Sequence, residues 1–590
     1  MTRRGPLSAT TLGTLRGYFT EQRHNPSPDH WEAIGDVANA MESMANGIAP
    51  LKVMLSSLDC GVGKTQTTLA FARALVTSPD HRDVGMLICV GRLTEAEAIA
   101  RTLAIPAGRL AVLTSDRELN SITPTAPASA QVLVTTQQRM ERTIDGQTFA
   151  GAEAFFFEGR PRQVRVWDEA WLPGVTVSVI RDDLYSLTKL VRPLSDDLAE
   201  ALICLADSLK GLSDGDAVEV PDFEALYGVS LYEVLAQAAG ETGRFRDDQQ
   251  LTATALAALN GKTARVRRDG KAGNVILTYR ETFPDDFMPL LVLDASGRVR
   301  QTYADMEQHR GNLLRLRSAV KDYSPLTVRT WQTGGGKSGF AQQGDVLAKG
   351  IADTILTKPN EGWLVVAHKA GGAVKNVETA IRRHLQGHPV GNLQVITWGN
   401  HMATNAFAGV PNVILAGTLF MRPSCYTALT NLAQGQPVAR GLASPADVAE
   451  TMRGEHRHLV YQALCRGRVR KSDGDKCQPM TAYVIASKRS GIPRDLQTIF
   501  PGCTVENWNP TKGVLKGVAK RAFTVVQTAI KRGEAWLSFA AIALALKMDR
   551  KNFKSRIQRD AVWLQAVAGL GARPATGPRK ASGLALSAEC

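Results

Sequence analysis

The sequence predicts an α/β fold: two tandem P-loop-type domains, a helical insertion in the first, and a small α-helical domain at the C-terminus. Three observations predict it. A strand, a glycine loop and a helix follow one another from residue 52, and strand–helix alternation restarts after residue 320. A chain of 590 residues exceeds one ordinary core, so several domains are expected. Charge is unevenly placed: residues 511–590 hold fifteen Lys/Arg against four Asp/Glu, a net +11 of the total +14. The expected boundaries are 1–320 for the first domain, with the inserted lobe at about 180–282, and 321–505 for the second. A basic domain at 506–570 and a disordered tail at 571–590, rich in Gly, Ala, Ser and Pro, complete the chain.

Composition narrows the class. With 44% hydrophobic and 21% charged residues the chain reads as a globular protein. No apolar run approaches the roughly 18 residues needed to span a bilayer, so no membrane partner is expected. Met1-Thr-Arg-Arg lacks a following apolar segment, which points to the cytoplasm. The eight cysteines are scattered without a Cys-x-x-Cys pair, so reduced thiols are expected and no structural metal or iron–sulfur cluster.

The chemistry begins at Ser56-Ser-Leu-Asp-Cys-Gly-Val-Gly-Lys-Thr65, after the short apolar strand at 52–55 and before a breaker-free amphipathic helix at 66–75. Strand, loop and helix together are the context a phosphate-binding P-loop requires. Gly61, Val62 and Gly63 turn backbone amides toward an anion, and the helix N-terminus at Gln66 favours negative charge there. Lys64 is expected to reach the β- and γ-phosphates of ATP, and the Thr65 hydroxyl to ligate Mg2+. The full pattern wants Gly where Leu58 stands, and this shortened form favours helicase-type loops over GTPases. The metal's acid is expected in Gln163-Val-Arg-Val-Trp-Asp-Glu-Ala-Trp171, a strand running into Asp168 for magnesium and Glu169 for the attacking water. A second loop, Thr333-Gly-Gly-Gly-Lys-Ser338, has no Asp-Glu strand after it. It is read as the opening of the second domain, in reach of a nucleic-acid phosphate, rather than as a second nucleotide site.

From about residue 30 to 490 the motif order resembles superfamily 2 helicases, a resemblance that implies two RecA-like domains with ATP between them. Thr135, Thr136 and Gln137 at the end of Gln131-Val-Leu-Val-Thr-Thr-Gln-Gln-Arg139 match the family's strand-tracking motif, which implies phosphate contacts. Leu290-Leu-Val-Leu-Asp-Ala-Ser296 resembles the motif that couples hydrolysis to domain movement. The residues between it and Glu169 form the insertion, with helices expected at 183–194, 197–209, 231–239 and 251–259 and a hairpin over 264–279. Such an insertion is similar to the arch of XPD/DinG-like helicases. Their four cluster-binding cysteines have no counterpart, since only Cys89 lies between the P-loop and Asp168. Gly399-Asn-His-Met-Ala-Thr-Asn405 resembles a further motif, implying nucleic-acid or nucleotide contacts for His401, Thr404 and Asn405. In Tyr461-Gln-Ala-Leu-Cys-Arg-Gly-Arg-Val-Arg470, similar to a form carried by phage- and plasmid-type helicases, Gln462, Arg466 and Arg470 are expected to reach the γ-phosphate. The two arginines, four apart, are placed on one helix face, with Arg468 as an alternative.

In the basic region, residues 536–559 read as a helix-turn-helix with Asp549 as N-cap. Arg550, Lys551, Lys554 and Arg559 face outward for DNA, and Phe553 and Ile557 inward. The expected function is an ATP-dependent helicase or translocase on single-stranded or forked DNA, with RNA as an alternative track and a loading protein as a further partner. Two other classes remain open: an ATPase that remodels without unwinding, and a nucleotide-switched DNA-binding replication or regulatory protein.

Overall fold

The computed structural model describes residues 5–228, 233, 247–400, 406–510, 515, 517–568, 570–577 and 581–586. The chain divides into two compact units, Met1–Trp508 and Asn509–Cys590. The first contains two parallel α/β sheets.

In the first sheet β1 (Val53–Ser56), β2 (Met86–Val90), β3 (Leu110–Leu113), β4 (Val132–Thr136), β5 (Val164–Asp168), β6 (Leu290–Leu293) and β7 (Leu313–Arg315) lie in the order β7-β1-β6-β5-β2-β4-β3. Every pairing is parallel. Alternate strand residues face opposite sides, and the two faces fill separate cores. Met54, Ile88, Val134 and Val166 pack with α1 (Pro6–Glu21), α2 (Pro28–Ala45) and α3 (Lys64–Thr77). Leu55, Leu87, Leu133 and Trp167 pack with Met140, Phe149 and Tyr303 on the other side. Both faces are covered, which is why these strands read as continuous apolar runs.

The second sheet has the order β10-β9-β11-β12-β8-β13, formed by β8 (Leu326–Trp331), β9 (Trp363–Ala367), β10 (Leu393–Thr397), β11 (Asn412–Ala416), β12 (Met480–Ile485) and β13 (Thr504–Asn507). It too is parallel throughout and has a core on each face. The two sheets share a plan. In each, the strand entering the glycine loop and helix (β1, β8) is separated from the strand two places away (β5, β11) by one inserted late strand (β6, β12). This is the RecA-like arrangement, present twice.

The insertion holds the helices and the hairpin expected, and adds a sheet that the sequence reading did not include. Helices Arg181–Val191, Asp196–Ser208 and Asp247–Leu259 pack on a four-stranded antiparallel sheet, Gly174–Ile180, Asn274–Glu281, Thr263–Arg268 and Ala217–Glu219 in that order. The hairpin supplies the two central strands. Pairing both its outer edges satisfies backbone groups that a lone ribbon would leave bare. The helix expected at 231–239 lies outside the described residues. The lobe also holds the second sheet's flank: Ser424 donates from its hydroxyl (2.5 Å) and amide (2.9 Å) to buried Asp269.

In the second unit, Phe539–Ala545 and Arg550–Phe553 are helices, and Asp549 caps the latter by accepting from Asn552 N at 2.9 Å. A π-helical turn, Lys554–Gln558, extends it. Phe553 and Ile557 are buried, whereas Arg550, Lys551, Lys554 and Arg559 are exposed. The tail expected to be disordered from 571 departs from that reading. Ala572–Thr576 and Ser582–Leu586 form an antiparallel pair, and the second also pairs with Trp536–Ser538. Leu584 and Leu586 join the unit's core, so a segment polar in composition is ordered by a few apolar residues on one face.

Candidate nucleotide site

The site grows from the loop between β1 and α3. Gly61 (φ 76°) and Gly63 (φ 109°) hold left-handed conformations that favour glycine. Side chains have no room there: a Cβ on Gly61 would lie 2.1 Å from Arg470 O, and one on Gly63 2.4 Å from the Phe19 ring. Leu58, standing where the longer pattern has glycine, is wholly buried among the apolar residues of α1 and α2, which explains why the loop accepts it. Lys64 begins α3. Its ammonium is buried and donates to the carbonyls of Leu58 and Asp59, the latter at 3.0 Å. Burial pulls its pKa down.

Across the cleft, Thr65 Oγ1 donates to Asp168 Oδ2 at 2.8 Å, which places a hydroxyl and a carboxylate together at the end of β5. Burial, then the neighbouring Glu169 carboxylate, push the Asp168 pKa up. Glu169 adopts φ 84°, and its carboxylate takes an ion pair from Arg466 at 3.1 Å. Arg466 also donates to Gln462 Oε1 at 3.1 Å. Gly61, Gly63, Lys64, Thr65, Gln66, Asp168, Glu169, Gln462, Arg466 and Arg470 line one cleft of about 310 Å³. Val62 is buried beside it. The donor set fits a nucleotide with magnesium: amides and an ammonium for phosphates, a hydroxyl–carboxylate pair for the metal.

Three expectations need correction. Arg466 and Arg470 do not share a helix face, because α4 (Pro445–Leu464) ends before them and Arg468–Arg470 is a 3-10 turn. They reach the cleft separately, and Arg468 instead donates to Gly409 O. Thr135 and Thr136 are not a phosphate-contacting surface. Thr135 is fully buried and donates to Leu113 O, and Thr136 caps the helix Gln137–Ile144. Gln137 turns to the nucleotide side and donates to Asp168 O at 2.6 Å. Strand-end hydroxyls were a sound signal for backbone satisfaction, and here the chain uses them for that. His401, Thr404 and Asn405 lie outside the described residues.

Sequence reasoning missed the seam that joins the domains. Tyr461 OH donates to Asp59 Oδ1 at 2.9 Å and accepts from Cys60 N at 3.0 Å, and Lys321 N donates to Asp59 Oδ2 at 2.8 Å. Cys60 and Cys465 are both buried in the core along the same seam. A second chain of bonds runs from the Asp-Glu loop: Trp171 N to Tyr303 OH (2.9 Å), Tyr303 OH to Asp294 Oδ2 (3.0 Å), and Ser296 Oγ to Asp294 Oδ1 (2.6 Å). Ser296 Oγ meets His458 Nδ1 at 2.6 Å, one helical turn before Gln462 on α4. Burial pushes the Asp294 pKa up, but His458, Arg300 and the Ser296 bonds outweigh it and hold the carboxyl below its usual range. Beside them Arg300 and Glu455 form a bidentate pair at 2.7 and 3.1 Å, both nearly inaccessible. Replacing Arg300 with methionine is expected to destabilise the first unit by ~3–5 kcal/mol, because the Glu455 charge stays buried unpaired. Denaturant unfolding checks this, and the double change with Glu455→Gln is expected to recover much of the loss.

Glu95 is a third carboxyl on the cleft. Burial first, then Glu169 and Asp168, raise its pKa to about 8. An acid raised in the folded state binds more protons there than unfolded, so its stabilising contribution fades as pH rises toward that value. In metal- and nucleotide-free protein, Glu95→Gln is therefore expected to gain thermal stability over wild type between about pH 5 and 8. Equal melting differences at both ends of that range exclude it.

Neither a family model nor a characterised protein matches the chain. Among solved structures, apo XPD aligns over 80% of this chain and 99% of its own, at 14% identity and a TM-score of 0.42. A variant of S. cerevisiae Dbp5 bound to RNA and ADP–BeF3 aligns over 83% of this chain and 96% of its own, at 11% identity and a TM-score of 0.30.

Proposed function

We propose that this chain is an ATP-driven nucleic-acid motor of the helicase type, hydrolysing ATP in the cleft between its two RecA-like domains. One observation carries the reading: Arg466, from the second domain, stands 3.1 Å from Glu169 of the first, in the cleft that also holds Lys64. Residues from both domains complete one site, so turnover depends on their closure. Lys64 and the loop amides bind the phosphates, and Thr65 with Asp168 would hold Mg2+. The metal, when bound, neutralises phosphate charge. Glu169 orients and deprotonates the attacking water, and Arg466 and Arg470 stabilise the charge developing on the transferred phosphoryl group. The bonded chain from Trp171 through Asp294 and Ser296 to His458 ties the Asp-Glu loop to the helix carrying Gln462, a physical route from hydrolysis to movement of α4.

DNA is the proposed track, because the C-terminal unit exposes Arg550, Lys551 and Lys554 on one short helical segment and Arg559 just past its end. Strand displacement on duplexes of DNA and RNA with 3′ or 5′ tails, with and without ATP, tests the reading. ATP-dependent displacement of a DNA duplex is expected. Nucleic-acid-stimulated hydrolysis without displacement replaces the helicase with a remodelling ATPase, and no hydrolysis at all removes the motor.

A further inference from the structure

We propose that the inserted lobe is an internal brace: it holds one helix of the second motor domain, Pro423–Gln434, through the whole ATP cycle, so that this domain turns about the grip without leaving it. The inference rests on the motor reading for the movement, but the grip itself is tested by chemistry that needs no turnover.

The two faces of the lobe's sheet have different partners. Along its strands alternate side chains point opposite ways. Val177, Val179, Ala264, Val266 and Ile276 pack with the lobe's own helices. Their neighbours Ser178, Arg265 and Leu277 turn to the other face, which in an antiparallel sheet commonly meets water. Here the helix Pro423–Gln434 covers it, lying across the strands Gly174–Ile180 and Asn274–Glu281. Leu277, Ala428 and Val438 are buried together, with Tyr279 packed against them.

Both ends of the helix are held by charge. At its start Ser424 gives its amide and hydroxyl to the lobe's Asp269. At its end Arg310 Nε donates to Leu432 O at 3.0 Å, and the same guanidinium pairs with Glu281 of the lobe at 2.9 Å. An acid therefore meets the positive end of the helix and a guanidinium its negative end. Just beyond, Arg265 donates to Ala439 O at 2.6 Å.

The helix belongs to the second domain by chain order, between β11 and α4, but its apolar burial lies elsewhere. Ala428 is buried with the lobe and Ala433 in a core of the first sheet. Among the described residues, none from 423 to 434 joins either core of the second sheet. Its bonds within its own domain include Tyr426 OH to His456 Nε2 at 3.1 Å and Ala443 N to Asn431 Oδ1 at 2.9 Å. Releasing the helix would part Asp269 from both donors and bring Leu277 and Ala428 into water at every turn of the cycle. Rotation about the helix keeps all of them covered.

Cys425 supplies the test, because its Sγ lies 3.9 Å from Ser178 Oγ across this interface. Ser178→Cys is made in the full chain, with the exposed Cys204 changed to serine, and diamide takes up the two thiol hydrogens as the disulfide forms. Peptide mass spectrometry gives the yield of the 178–425 bond without nucleotide, with a non-hydrolysable ATP analogue and magnesium, and during turnover on single-stranded DNA. The yields are expected to agree within about twofold, since a contact kept in every state shifts no population. The oxidised protein is expected to hydrolyse ATP and displace strands within about twofold of the same sample after dithiothreitol. A complementary variant, Asp269→Ala with Arg310→Met, removes the charge from both ends of the helix. It is expected to displace strands about fivefold more slowly with analogue affinity unchanged, and thermal melting confirms that it is folded. Failure of the bond to form without nucleotide overturns the brace. So does a yield that collapses when nucleotide binds, activity that returns only on reduction, or full displacement by the complementary variant. A protein that binds the analogue and forms the bond equally in both states, yet turns over no ATP, loses the motor reading and keeps the brace.

Discussion

Lys64→Ala is expected to lower nucleic-acid-stimulated ATP turnover by on the order of 10²–10³, the cost of removing a preorganised charge from a phosphate site. Lys64 is the cation at the centre of the loop, buried and held by the carbonyls of Leu58 and Asp59. Those carbonyls repel phosphate oxygens once the ammonium is gone, so the loss is of binding and of charge stabilisation together. The fold is expected to survive, because alanine suits the first turn of α3 and the two carbonyls remain beside the loop's polar cleft. Phosphate release under steady state, with melting temperature and single-strand binding as controls, checks it. Activity within threefold of wild type would place the phosphates elsewhere.

Arg466→Ala is expected to have the larger effect, a fall in kcat on the order of 10³–10⁵, the range an arginine finger supplies. Arg466 is nearly inaccessible at 2% exposure, fixed by Gln462 and paired with Glu169, so its guanidinium waits in the cleft without reorganisation. Removing it takes away both the charge on the transferred group and the bridge between domains, whereas nucleotide binding through the loop is retained. Single-turnover hydrolysis with saturating ATP separates the two. A raised KM with kcat intact would reduce Arg466 to a binding residue. Arg466→Lys is expected to recover little, because an ammonium cannot reproduce the planar fork that meets Gln462 and a carboxylate at once.

The legible parts of this protein were short windows. Gly61, Gly63, Lys64 and Thr65 lie in one glycine loop, Asp168 and Glu169 at one strand end, and Gln462, Arg466 and Arg470 within nine residues of one another; all but local backbone chemistry is unnecessary to see them. A four-residue spacing puts Arg466 and Arg470 on one helix face, but spacing alone cannot register that α4 stops at Leu464. Thr135 and Thr136 looked available because a sequence records hydroxyls without recording that β3 and β4 bury them.

The two glycine loops, the strand periodicities and the basic C-terminal stretch are local properties, readable from residues within a turn or two of one another. Which distant groups meet depends instead on how the whole chain packs. Tyr461 reaches Asp59 across 402 positions, and His458 reaches Ser296 across 162. Packing of the whole chain likewise gives the insertion a four-stranded sheet and pairs residues 572–576 with 582–586. The physical reason is the same in each case. Parallel strand order and the packing of helices on both faces bring loops together from far along the chain, and no local pattern encodes which partner a buried hydroxyl or carboxylate will find.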